Sequence, residues 1–218
     1  MVVKQNIICP GCNKELIIDT YPVINLQENH EMLNDVFSLE LFKIECPKCK
    51  KVTIVQYDTV IVDMYKKYMV YLCHNNKMLD KQQFKSFIEK IPEFDKCSKD
   101  LKNTRVVNSI NQLLEKLLIY DYDLNDKIIE TLKYLVFSKN SETFKDYTEI
   151  RFEKLDQTSL IFGCFNLEDS SIQPKNIAID IENYNNIIDN FDKELLTNSV
   201  EFEEINDLWV KQYIFKDK

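Results

Sequence analysis

Apolar residues change their spacing along the chain. In residues 6–76 they fall in short runs rich in β-branched and aromatic side chains, "ELIID", "KVTIVQY" and "KYMVYL", which predict strands. Between the second and third of the chain's cysteines, "HEMLNDVFSLELF" predicts a short helix leading into a strand, and "HNNK" at 74–77 marks a turn and a boundary. From there to residue 137 the period becomes helical. Ile110, Leu113, Leu114, Leu117 and Leu118 share one face, as do Ile128, Ile129, Leu132, Leu135 and Val136. Ser109 with Gln112 fits a capping box for the first helix, and Asp123 or Asn125 caps the second. With only "DYDLN" between them, the two pack as an antiparallel hairpin. Upstream, "KQQFKSFIEKI" predicts a further helix that Pro92 helps to stop.

The last segment returns to alternation. "TEIRFEKL" and "SLIFGCF" predict a hairpin turning at 156–158, and "NIAIDI" a further strand. Tyr184, Ile187, Ile188, Phe191 and Leu195 then line one helical face, while the stretch with Phe202, Ile205 and Trp209 is ambiguous. The expected fold class is α+β in three parts: a β domain over 1–76, a helical segment over 77–140 and an acidic, β-rich α/β segment over 141–218.

Composition narrows the chemistry. Only Gly11 and Gly163 are glycines, so no glycine-rich phosphate loop or dinucleotide fingerprint can be built. The net charge is −8, and residues 141–218, with 8 basic against 17 acidic side chains, account for all of it. A field of that sign repels polyanions and anionic membranes, which argues against non-specific nucleic-acid binding. "MVVKQNIICP" has no secretory apolar core, and no run approaches about 18 apolar residues. A cytoplasmic protein with no membrane association is expected.

Seven cysteines are present, four of them in two tight pairs, Cys9 with Cys12 and Cys46 with Cys49. Two residues between cysteines let both sulfurs point at one ion, and two such knuckles supply the four soft ligands that tetrahedral Zn²⁺ prefers. The 33 intervening residues from Cys12 to Cys46 exceed the usual ribbon separation, so an inserted element is expected. A thioredoxin-like redox pair explains one motif at a time, and iron would use the same four thiolates. Four thiolates close the shell, so the expected site is one structural Zn²⁺ in a zinc-ribbon-like domain. Lys14, Lys48, Lys50 and Lys51 beside the ligands are read as neutralising the thiolates, with nucleic-acid contact as the rival.

"IICPGCNKELIIDTYPVINL", "FKIECPKCKKVTIVQYDTVIVDMYKKYMVYL" and "RVVNSINQLLEKLLIYDYDLNDKIIETLK" together resemble the bacterial and archaeal CpXC proteins, named for paired Cys-Pro-x-Cys motifs, over residues 5–135. The resemblance implies a zinc-binding domain followed by helices, with the ligands at Cys9, Cys12, Cys46 and Cys49, and implies no activity. The residue after each second cysteine, often glycine in such knuckles, is here Asn13 and Lys50. Lysine takes the left-handed conformation less readily than asparagine, so strain is expected in the second knuckle.

Other candidates carry less. Asp63 is read as a turn former, with a metal or acid role alongside His74 as the alternative. With His30 the only other histidine, a catalytic triad or three-histidine centre is hard to assemble. Glu115 and Lys116 are expected on a solvated helix face, Cys97 and Cys164 as small core residues, and Trp209 as core with a partner anchor as the alternative. The functional expectation is a non-enzymatic interaction or adaptor module with a protein partner. A nucleic-acid-binding ribbon, or an enzyme whose pocket lies between ribbon and helices, are the alternatives.

Overall fold

The computed structural model describes residues 2–74, 101–190 and 203–215. The helix expected in "KQQFKSFIEKI", Cys97, Phe191, Leu195 and Phe202 lie outside the described residues. The expected mixture is observed, with helices and several sheets. The described residues divide into two units, one up to Leu114 and the other from Glu115 onward.

In the first unit, strands β1 (Val3–Ile8) and β2 (Glu15–Thr20) form an antiparallel hairpin. Along β2 the burial alternates as a half-covered strand requires: Leu16, Ile18 and Thr20 are buried, while Glu15, Ile17 and Asp19 face out. After β3 (Val23–Asn25) and helix α1 (Met32–Phe37), a second hairpin forms from β4 (Lys43–Glu45) and β5 (Val52–Ile54). Helix α1 is the element expected within the long insertion. The "KVTIVQY" run delivers only three strand residues, after which the Val55 N–H makes one more bond in the same register, to Phe42 O at 2.8 Å. Gln56 then donates through Nε2 to the carbonyls of Cys73 and Asn108 at 3.2 and 2.9 Å.

Strands β6 (Thr59–Asp63), β7 (Tyr68–Leu72) and β8 (Asn103–Val107) join β3 in a four-stranded sheet of order β3-β6-β7-β8. The central pair is antiparallel and each outer neighbour is parallel to the strand it meets. Every residue of β6 and β7 is buried, which is why they read as continuous apolar runs with no alternation. Val60, Val62, Met69, Tyr71 and Cys73 cluster with Leu101 on one face.

Helix α2 (Ile110–Asp121) crosses from the first unit's residues into the second's. Ser109 Oγ accepts from the Gln112 N–H at 3.2 Å, while the Gln112 side chain reaches back to the N–H of Asn108, one residue earlier than the expected box. Asn125, rather than Asp123, caps helix α3 (Asp126–Lys139), accepting from the Lys127 N–H at 2.9 Å. Asp123 instead adopts a left-handed φ of 55° in the link. Ion pairs from Lys116 to Glu130 and from Lys133 to Glu115 require the two helices to run antiparallel, as the short link predicts.

The second unit continues through α4 (Ser141–Phe144) into an antiparallel sheet of order β11-β10-β9, built from β9 (Glu149–Asp156), β10 (Ser159–Phe165) and β11 (Lys175–Asp180). Helix α5 (Ile181–Asn190) buries Tyr184 and Ile187, and the Tyr184 hydroxyl accepts from the Asn125 N–H at 2.8 Å. Ile188, placed on the same face by periodicity, is exposed. A short helix α6 (Asp207–Trp209) and a π-helical turn (Val210–Ile214) resolve the ambiguous terminal stretch. Trp209 is a core residue there, packed with Ile205 and Val210. Among the described residues no helix is long and apolar enough to cross a membrane.

Candidate metal centre

Each cysteine pair sits in the tight turn of its own hairpin, and the two turns are built alike. The Cys9 N–H bonds Lys14 O at 2.9 Å while the Asn13 N–H returns to Cys9 O at 2.9 Å; the Cys46 N–H bonds Lys51 O at 3.0 Å while the Lys50 N–H returns to Cys46 O at 2.9 Å. Closing these turns demands a left-handed residue after the second cysteine. Asn13 takes φ 57° and Lys50 takes φ 62°. The expected strain thus falls on Lys50, at a cost of about 1 kcal/mol for a non-glycine residue without a local side-chain bond. Lys50→Asn is expected to raise the stability of the metal-loaded protein by up to about 1 kcal/mol, and Asn13→Lys to lower it, both read from thermal unfolding midpoints.

The turns bring the four sulfurs together. Cys9 Sγ lies 3.6 Å from Cys49 Sγ and Cys12 Sγ lies 3.7 Å from Cys46 Sγ. All four ligand atoms fall within 4.8 Å of one another. Sulfurs at about 2.3 Å from a tetrahedral zinc stand about 3.8 Å apart, so the donor set fits such an ion. Beneath them, Leu16 and Ile18 of β2 pack with the buried Cys9 and Cys46, and Ile7, Ile44 and Val55 close the edges. Gly11 is small for a reason of space and not of backbone angle. A Cβ there would stand 3.2 Å from Cys49 Sγ and 2.8 Å from Lys51 Cδ.

Without a cation the thiols ionise unequally. The N–H of Cys49, helped by that of Lys48, pulls the Cys46 thiol down to about 6 against its desolvation. At Cys49 the Lys51 N–H acts the same way, yet desolvation and hydrogen bonds with the other three sulfurs outweigh it and push that thiol up to about 11. One thiolate forms readily and the last is opposed, as expected when like charges share a site. A dication held by the four sulfurs would offset that opposition and favour the thiolate form of all four. Of the lysines beside the ligands, Lys50 is paired with Glu45 at 3.3 Å.

The other candidates do not assemble into a site. Asp63 Oδ1 accepts from the N–H groups of Tyr65 and Lys66, both at 2.9 Å, which makes it the turn former between β6 and β7. His74 sits at the far end of that hairpin, its N–H donating to Asp58 Oδ1 at 2.7 Å. Asp63 pairs with Tyr68, so roughly 17 Å or more of strand separates the two at about 3.4 Å per residue. The enzyme alternative that paired Asp63 with His74 is therefore withdrawn. His30 is exposed, and Cys164 is fully buried in β10.

Sequence reading misplaced Glu115 and Lys116. They are buried, not solvated, and head an ionic network between α2 and α3. Lys116 Nζ lies 3.3 Å from Asp126 and 3.0 Å from Glu130; Lys133 Nζ lies 2.9 Å from Glu115 and 3.1 Å from Glu130. Glu115 also accepts from the Phe152 N–H of β9 at 2.7 Å. The signal was present in Ile119 and Tyr120, apolar residues three and four places after Lys116 and buried on that face. Burial alone would lower Lys133, but Glu115 and Glu130 more than offset it and hold the ammonium above the ordinary lysine value of 10.5. Its stabilisation is complete below that value and is lost as pH rises through the folded-state pKa. The thermal midpoint is expected to fall above pH 10.5 more steeply in the wild type than in Lys133→Met, and equal slopes would refute this.

No curated protein and no solved structure was found to match the chain. A family model described as CpXC protein matches residues 7–133 of the 218, ending two residues inside the stretch read from the motifs at either end. With both cysteine pairs, all of α2 and the first turns of α3 inside that span, the chain belongs to the CpXC family.

Proposed function

We propose that the protein is a non-enzymatic interaction module of the cytoplasm whose ribbon is braced by one structural Zn²⁺ on Cys9, Cys12, Cys46 and Cys49. The observation that carries this reading is the sulfur geometry, with cross-knuckle separations of 3.6 and 3.7 Å. Four thiolates satisfy a tetrahedral ion and leave no position for water or substrate, so the ion supplies rigidity and not Lewis acidity. Zinc is favoured over iron because it is the common occupant of such sites in reducing compartments. Function then resides in the surfaces the ribbon and the acidic second unit present to a protein partner.

Elemental analysis of freshly purified protein tests the first half: one zinc per chain is expected, and stoichiometric iron or no metal overturns it. For the second half, the metal-loaded chain is expected to retain a specific protein from its own cells that the chelator-treated chain does not. A second reading, nucleic-acid binding by the ribbon, draws on the exposed Lys14, Lys48 and Lys51 around the knuckles. Titration with single and double strands at two salt concentrations separates the readings, since backbone contact requires affinity that falls with salt.

A further inference from the structure

The four cysteines differ in their access to solvent. Cys9 and Cys46 are buried, Cys12 is half-buried, and Cys49 is exposed, on a turn whose neighbours Pro47, Lys48 and Lys50 are exposed too. Two sulfur contacts run across the knuckles, Cys9 to Cys49 at 3.6 Å and Cys12 to Cys46 at 3.7 Å. A C-x-x-C sequence by itself points to a bond within each pair.

We propose that Cys49 is an oxidation site through which a hydroperoxide releases the metal, leaving a Cys9–Cys49 disulfide that holds the two hairpins together. The inference rests on reading the four sulfurs as one metal site. In the first step the Cys49 thiolate attacks a peroxide oxygen and the O–O bond breaks. Cys49 becomes a sulfenic acid, and the hydroxide released takes a proton from solvent and leaves as water. Cys9 Sγ, already in contact, then attacks Cys49 Sγ; the S–S bond forms, the S–O bond breaks, and a second hydroxide is protonated and leaves. Two thiolates lose two electrons and the peroxide gains them, with two protons drawn from solvent. Deprived of two of its four ligands, the ion departs. Because the new bond joins β1–β2 to β4–β5, the ribbon keeps a cross-link where the ion had been. A bond within either pair would close a four-residue turn and leave the hairpins unconnected.

The test uses the full-length protein purified under reducing conditions, its metal content measured first. Hydrogen peroxide is added in sub-stoichiometric steps, released ion is read with a chromophoric chelator, and disulfides are mapped by mass spectrometry of unreduced, alkylated peptides. Release of one ion per chain, with Cys9–Cys49 as the first disulfide and recovery on adding dithiothreitol and zinc, supports the proposal. A first bond within Cys46–Cys49 or Cys9–Cys12, or between Cys12 and Cys46, overturns it, as does peroxide-resistant metal. Cys49→Ser is expected to slow release at least tenfold. If that variant fails to hold metal, the disulfide map of the unaltered chain decides. Protein that contains no metal at the outset refutes the metal reading, while the order in which its thiols join still tests the role of Cys49.

Discussion

Replacing Cys46 with serine is expected to abolish stoichiometric metal and to unfold both ribbon hairpins. Cys46 is 1% exposed and packs directly on Leu16, Ile18 and Cys9, so its sulfur is a donor and a piece of core at once. The elements it supports are weak alone: β4 and β5 contribute three residues each, and two-stranded hairpins are marginal in water. A structural zinc contributes about 10 to 16 kcal/mol of apparent binding free energy, comparable to the whole stability of about 5 to 15 kcal/mol of an ordinary domain. Removing one of four ligands forfeits most of it. The measurement is amide hydrogen exchange. Val3–Ile8, Glu15–Thr20, Lys43–Glu45 and Val52–Ile54 should lose protection, while Glu149–Asp156 and Ser159–Phe165 keep theirs. A strong chelator should reproduce the pattern in the wild type. Unchanged protection of the four ribbon strands in both experiments would mean that the apolar floor of the ribbon suffices without an ion.

Lys116→Ala is expected to destabilise the helical hairpin by about 3 to 5 kcal/mol, the cost of removing one member of a buried ion-pair network. Lys116 touches both Asp126 and Glu130, at 3.3 and 3.0 Å, and all three side chains are under a tenth exposed. The deletion leaves two carboxylates facing each other with Lys133 as the remaining cation near Glu130. The comparison is Lys43→Ala, which breaks a pair of similar length with Glu40, 2.8 Å but half-exposed, and is expected to cost far less because water screens it. Urea unfolding of the two variants reads the difference. If both fall within 1 kcal/mol of the wild type, the network carries no net charge penalty and Lys116 is accommodated by water.

The parts legible in the sequence were those where one local rule decided the outcome. C-x-x-C spacing brought the sulfurs together, helical periodicity and a five-residue link gave the α2–α3 hairpin, and alternation gave β9 and β10. The illegible parts depend on what packs from elsewhere. Burial on all sides made Thr59–Asp63 a strand that shows no alternation. Glu115 and Lys116 were misread because a charged pair on one helix declares nothing about the counter-charges on the next. Asp126, Glu130 and Lys133, ten to eighteen residues on, make their burial tolerable. Likewise, spacing alone could not say which of four equivalent cysteines would face water.

The stretch between the two cysteine pairs is not a slack loop, because β3 within it is hydrogen-bonded alongside β6, which follows the second pair. An ion held by the four sulfurs would therefore be the clasp of a belt already threaded through the main sheet, where Val23–Asn25 lies beside Val60–Val62.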